Sequence, residues 1–141
     1  MLELKSPEEL FDEGIERYKS GESIGSLISL FESICDRSSK NSVSWTCLAW
    51  LYLLEGKGSP AVKAAKKAVK LNPQDPQARV NLALGLLETK QKGVREHVDI
   101  ARQIVMISPE LREEVYENLM DGLNRKPNWK AIQKIQGWLF E

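Results

Sequence analysis

Asn41-Ser42-Val43-Ser44-Trp45-Thr46-Cys47-Leu48-Ala49-Trp50-Leu51-Tyr52-Leu53-Leu54 runs into Glu55-Gly56-Lys57-Gly58-Ser59-Pro60. Then comes Ala61-Val62-Lys63-Ala64-Ala65-Lys66-Lys67-Ala68-Val69-Lys70-Leu71-Asn72-Pro73. In the first run Trp45, Leu48, Ala49 and Tyr52 recur at i, i+3, i+4, i+7, one face of a helix. In the second, Ala61, Ala64, Ala65, Ala68 and Leu71 do the same, and glycines separate the two runs. The stretch therefore reads as a helical hairpin whose small residues, such as Ala49 and Ala61, allow close approach. Cys47 to Leu54 is apolar without a break for eight residues. That is far short of the ~20 needed to span a membrane. Trp50, Leu53 and Leu54 fall opposite Trp45 and Leu48, so this helix is apolar almost all round, and such a helix is a buried one.

The same periodicity continues outward in both directions. Leu10, Phe11, Gly14, Ile15 and Tyr18 form one face, and Ile24, Leu27, Ile28, Phe31 and Ile34 the next. Beyond the central hairpin come Val80, Leu82, Ala83, Leu86 and Leu87, then Ile100, Ala101, Ile104 and Val105. The last two faces are Val115, Leu119 and Leu123, and Ile132, Ile135, Trp138 and Leu139. Proline placement marks the starts. Ser6-Pro7, Ser59-Pro60, Asp75-Pro76 and Ser108-Pro109 each pair a capping side chain with a proline, which loses no intrahelical bond at the first helical position. Pro127 reads as opening a further helix with a poorer cap, and Pro73 as part of a connector. Ser6 with Glu9 has the form of a capping box. Turns are expected at Gly21, Gly56-Lys57-Gly58, Gly93 and near Asn124. The expectation is an all-α chain of eight helices.

The starts also repeat. Alternate helices open after Ser6, near Asn41, after Asp75 and after Ser108, at intervals of 35, 34 and 33 residues. A period near 34 in paired helices means stacked hairpins, because no single hairpin buries both its faces alone. Trp45-x2-Leu48-Ala49-x2-Tyr52, followed by Ala61, Ala68 and Leu71-Asn72-Pro73, resembles a tetratricopeptide repeat (TPR) over 42–75. Ala49 stands where glycine is commoner, and Ala65 where an aromatic is. The unit about 7–40 keeps Gly14, Tyr18 and Phe31. The unit about 76–109 keeps Leu82-Ala83 and Ile107-Ser108-Pro109, with a loop two residues longer. A degenerate hairpin covers 110–141. The resemblance implies one domain, residues 1–141, folded as a right-handed α-solenoid of about four hairpins.

The resemblance further implies a concave groove lined by the first helix of each hairpin, where family members bind peptides or helices. The residues placed in that groove are Phe11, Ile15, Tyr18, Thr46, Trp50, Leu53, Val80, Asn81, Leu84, Tyr116 and Met120, flanked by Lys19, Cys47, Gln77 and others. Some family members clamp a carboxylate-ended chaperone tail with cations. The matching places here hold Phe11, Ile15, Cys47, Gln77 and Asn81, so that mode is disfavoured. The apolar surface around Trp50 leaves three covers open: the chain's own end (Trp129, Ile132 or Trp138), a partner's apolar helix, or a second copy.

Composition narrows the remaining classes. Twenty Lys plus Arg balance twenty Asp plus Glu, which argues against a general attraction to nucleic acid or an anionic surface. Lys63, Lys66, Lys67 and Lys70 share one helical face and form a possible dock for an acidic partner, RNA or anionic membrane, although no aromatic is interleaved for base stacking. Arg125, Lys126, Lys130 and Lys134 make a weaker cluster. His97 is the sole histidine, and neither a metal-ligand spacing nor a phosphate-binding glycine motif is present. The carboxylates Glu8, Glu9, Asp12, Glu13 and Glu16, and Glu110, Glu113, Glu114 and Glu117, lie early in helices where the macrodipole favours them. Neither catalytic residues, metal nor cofactor is expected. Met1-Leu2-Glu3-Leu4-Lys5-Ser6-Pro7 has no basic-then-apolar leader pattern. Two cysteines, Cys35 and Cys47, in apolar patterns suit buried thiols and a reducing cytoplasm. The overall expectation is a non-catalytic adaptor, scaffold or assembly chaperone that binds a peptide or amphipathic helix, with self-association as an alternative.

Overall fold

The computed structural model describes residues 4–141. The leader reading rests partly on residues 1–3, which lie outside the described residues. Eight helices follow one another: α1 (Pro7–Lys19), α2 (Ile24–Arg37), α3 (Ser42–Leu54), α4 (Gly58–Leu71), α5 (Pro76–Glu88), α6 (Val94–Ile107), α7 (Pro109–Arg125) and α8 (Lys130–Phe140). Among the described residues there is no strand. The chain is an α-solenoid of helical hairpins.

Cap chemistry sets most of the boundaries. The Ser6 side chain accepts from the Glu9 N–H at 3.1 Å while the Ser6 N–H donates to the Glu9 carboxylate at 3.1 Å, completing the box. Asn41, Asp75 and Ser108 cap α3, α5 and α7 through their side chains. Two proline expectations are corrected. α4 starts at Gly58, so Pro60 sits inside the first turn rather than at its opening. The N–H groups of a first turn have no intrahelical partner, so proline costs nothing there either. Pro127 lies in the connector before α8, which begins at Lys130 with Trp129 at its cap position. The α5–α6 connector, closed by Gly93 at φ 101°, is the longer one the sequence suggests.

Packing is governed by α3. Its Leu48, Ala49 and Leu51 join Leu27, Ile28, Phe31 and Ile34 of α2, and Val62, Ala64 and Ala65 of α4, in one cluster. Its Leu53 and Leu54 join a second cluster with Val80, Ala83 and Leu84 of α5, Val98 and Ala101 of α6, and Val115, Leu119, Ile132, Ile135 and Leu139 of α7 and α8. The helices come close where side chains are smallest. A Cβ on Gly14 would lie 2.6 Å from the Phe31 ring, and one on Gly122 would lie 2.8 Å from both Trp50 and Ile132.

The last pair departs from regular stacking. α8 packs on α5 and α6 as well as on α7, while α7 reaches across to the first helix. The Tyr18 hydroxyl donates to the Asp121 carboxylate and accepts from the Trp50 indole N–H at 2.9 Å. Arg125 stacks over the Tyr18 ring at 3.9 Å, donates to the Tyr18 carbonyl at 3.1 Å and pairs with Asp121 at 3.2 Å. Burial first, and the Asp121 bond second, push the Tyr18 hydroxyl far above the ordinary phenol range. It stays protonated and keeps donating at any physiological pH.

Three substitutions test this packing by urea unfolding. Gly122→Val drives new carbons into Trp50 and Ile132 and is expected to cost about 1–3 kcal/mol. Gly25→Ala, whose Cβ would meet only a Glu55 carboxylate oxygen at 3.5 Å, is expected to stabilise by about 0.5 kcal/mol. Tyr18→Phe strips one hydroxyl from two partners and leaves the Trp50 N–H without an acceptor. A loss of about 1–3 kcal/mol is expected, with amide exchange accelerated in α7 more than in α4.

Candidate functional site

α1, α3 and α5 present their inner sides to α7, and a cavity of about 420 Å³ remains between them. Its apolar lining is Ile15, Phe31, Cys47, Trp50 and Leu51. Its polar lining is Tyr18, Lys19, Thr46, Gln77, Asn81, Asn118, Asp121 and Arg125. Clefts that hold ligands run to roughly 300–1,000 Å³ with mostly apolar linings and a few placed polar groups, so the volume and composition are of that kind.

The polar lining is tied together rather than loose. Asn118 of α7 donates to the Gln77 side-chain oxygen at 3.1 Å, and the Gln77 side-chain amide donates to the Asn81 side-chain oxygen at 2.8 Å. Asn81, fully buried, donates to the Thr46 carbonyl at 3.0 Å. This ladder ties α7, α5 and α3 together on one side of the cavity, and Tyr18–Asp121–Arg125 ties α7 to α1 on the other. The groups are therefore held in place before anything enters.

Burial and then Asp75 push the Cys47 thiol up to about 12, and burial does the same for Cys35. Neither is a thiolate nucleophile at neutral pH. His97 lies outside the cavity, its Nδ1 3.0 Å from the Arg79 guanidinium. Burial, then Arg79, lowers its pKa, so it is neutral in the physiological range. Among the cavity-lining residues there is no base beside an activated nucleophile.

Ile15, Tyr18, Thr46, Trp50 and Asn81, all placed in the groove from sequence, meet at this cavity. Leu53, Val80 and Leu84 do not. They are 2%, 0% and 0% exposed in the core, because α8 packs against α5 and α6 and covers that side. Phe11 lies edge-on to Phe31, ring centroids 5.7 Å apart, and lines a separate small cavity with Asp12 and Ser44. Tyr116 and Met120 are exposed, with Tyr116 against Phe140, on a side of α7 away from the cavity. Lys63, Lys66, Lys67 and Lys70 are all exposed along α4.

Trp50 is covered by the chain itself, with its ring 5.6 Å from Trp129 and against Gly122. Phe31, Leu51, Asn118, Asp121 and Arg125 are the cavity residues that the sequence reading did not place in the groove, and the last three form its α7 edge. They stand at i, i+3 and i+7 beside the apolar Val115, Leu119 and Gly122, and that polar edge was the available signal.

No family model matches the chain, and no curated protein matches it in sequence. Solved structures do resemble it. The type III secretion translocator chaperone SycD of Yersinia enterocolitica superposes with a TM-score of 0.67 at 17% identity, over 79% of this chain and 84% of that one. The Sgt2 TPR domain from Aspergillus fumigatus gives 0.65 at 18% identity over 84% and 82%. The first TPR of Spaghetti (RPAP3), bound to the HSP90 peptide SRMEEVD, gives 0.61 at 18% over 85% and 98%. At such identities the likeness is one of architecture, and the architecture of this chain is the TPR-type stack of helical hairpins.

Proposed function

We propose that this chain is a non-catalytic protein-interaction module, an adaptor or assembly chaperone. In this reading it takes an apolar anchor from a peptide or helix of a partner into the cavity between α1, α3, α5 and α7. The observation that carries it is the cavity itself: about 420 Å³, lined by the apolar Ile15, Phe31, Trp50 and Leu51 together with a fixed polar ladder. An apolar side chain entering such a site sheds water, and the fixed ladder at its edge keeps the cavity's shape. Translocator chaperone and peptide-bound TPR are descriptions of structures of the same architecture, which supports a protein or peptide as the ligand.

Recognition of a carboxylate-ended tail is disfavoured. Lys19 and Arg125 are the cavity's cations, and Arg125 is already committed to Asp121 and Tyr18. No helix among the described residues is long and apolar enough to cross a membrane. Cys35 and Cys47 are free thiols, which fits a reducing compartment, and we assign the chain to the cytoplasm.

Peptide selection on the immobilised protein, followed by calorimetry, tests the reading. Selected peptides are expected to share one or two large apolar residues, to bind with negative ΔCp and to lose little affinity in salt. Asn118→Trp places an indole at the cavity mouth and should weaken binding about tenfold or more, ~1.4 kcal/mol, with an unchanged helical circular-dichroism spectrum. Binding that survives Asn118→Trp but is lost when Lys63, Lys66 and Lys67 become Glu would relocate the site to α4. Cys47 supplies an independent readout. Its high pKa should make native alkylation at neutral pH slower than that of a free cysteine by more than about tenfold, and saturating peptide should slow it further.

A further inference from the structure

The trough leaves α4's outer face unused. Lys63, Lys66, Lys67 and Lys70 stand on it in one row, all exposed, and α4 contains no acid. None of these lysines forms an ion pair among the described residues. The exposed faces of α2 and α6 are mixed instead, with Glu32, Asp36 and Arg37 on α2 and Arg95, Glu96, Asp99 and Arg102 on α6. The cationic surface free of acids is therefore the face of α4 alone. A flat anionic membrane or a nucleic-acid backbone reaching to α2 or α6 would meet their acids, whereas a single acidic helix laid on α4 would not.

The molecule itself carries such a helix. Glu110, Glu113, Glu114 and Glu117 run along the outermost side of α7, all exposed and without an ion pair among the described residues. The macrodipole accounts for Glu110, but its effect fades after the first turn, and the row continues beyond it. The two rows have the same spacing, i, i+3, i+4, i+7, and each is about 10 Å long at 1.5 Å rise per residue. That spacing reads the same in both directions, so antiparallel helices match every charge and also oppose their dipoles. Beside the acids on α7, Tyr116 is 48% and Met120 37% exposed, apolar surface able to cover lysine stems.

We infer that copies of this chain associate by laying the Glu110–Glu117 face of α7 in one along the Lys63–Lys70 face of α4 in another. The acids of α1 are a poorer match, because Glu9 is engaged by the Ser6 N–H and Glu13 pairs with Lys5 at 3.3 Å. Each copy offers both faces, so the contact closes as a symmetric dimer or runs on as a short chain.

Sedimentation velocity over a concentration series is the test, at low ionic strength and again at about 0.5 M salt, where screening acts within a few Å. The weight-average mass should rise with concentration at low salt and fall to the monomer at high salt. Lys66→Glu with Lys67→Glu, or Glu113→Lys with Glu114→Lys, should each weaken association about tenfold or more. All four together should restore it. Peptide affinity at the cavity should stay unchanged throughout, which separates this contact from the trough. A monomer at every low-salt concentration, association indifferent to both pairs, or loss on Asp12→Lys with Glu16→Lys but not on the α7 pair would each overturn the inference.

Discussion

A helix with no polar side has to be surrounded, and α3 is that helix. From Cys47 to Leu54 it offers apolar side chains in every direction, so packing on one neighbour leaves half of it in water. α2, α4 and α5 together cover Leu48, Ala49 and Leu51. What is left is the sector around Trp50 and Leu53, and in a regular open solenoid that sector faces the concave trough. The unusual course of the last two helices follows from closing it. α8 brings Trp129 and Ile132 to the α3–α5 side, and α7 brings a glycine where Trp50 needs room.

The closure is partial because the residues α7 turns toward the trough are polar. Asn118, Asp121 and Arg125 cannot be pressed into an apolar floor without losing their water, so each is met by a donor or acceptor from an inner helix: Gln77, Tyr18, or the Tyr18 carbonyl. Those pairings hold α7 at side-chain length from α3 and α5, and the cavity is the space so left. Its apolar lining and its fixed polar lining thus have one origin. A Gly122 replacement and a Tyr18 replacement act on the same joint from opposite sides, one by forcing the helices apart and the other by removing what holds them in register.

Much of this was legible in the sequence because it is local. Capping at Ser6, Asn41, Asp75 and Ser108, helical periodicity and the interval between hairpins depend on residues within a turn or two of one another. Pro60 misled only about where a helix opens, since proline is tolerated throughout a first turn. The trough was legible in part. Ile15, Tyr18, Thr46, Trp50 and Asn81 lie on helices whose neighbours follow the repeat, so the face could be read from the pattern. Leu53, Val80 and Leu84 could not, because their burial is decided by α8, distant in sequence and outside the regular repeat. Tyr116 and Met120 failed for a related reason. They were placed by extending the repeat into α7, but only one residue, Ser108, separates α6 from α7, and the helix turns Asn118, Asp121 and Arg125 inward instead.

The saturation of the polar lining also bears on what the cavity can recognise. A binding site gains most discrimination when its polar groups are left unpaired by the wrong ligand. Here Gln77 and Asn81 are paired with each other, and Tyr18, Asp121 and Arg125 form a closed set. An entering ligand therefore finds few unmet hydrogen bonds to complete and gains mainly by burying apolar surface. On the proposed reading, such a site would select by size and shape and tolerate many sequences around a suitable anchor. The opposite logic holds on the outer faces, where Lys63–Lys70 and Glu110–Glu117 stand unpaired in water. On the proposed reading, selectivity for an apolar segment would lie inside the curve of the helices, and the inferred ordering of one copy against another would lie outside it.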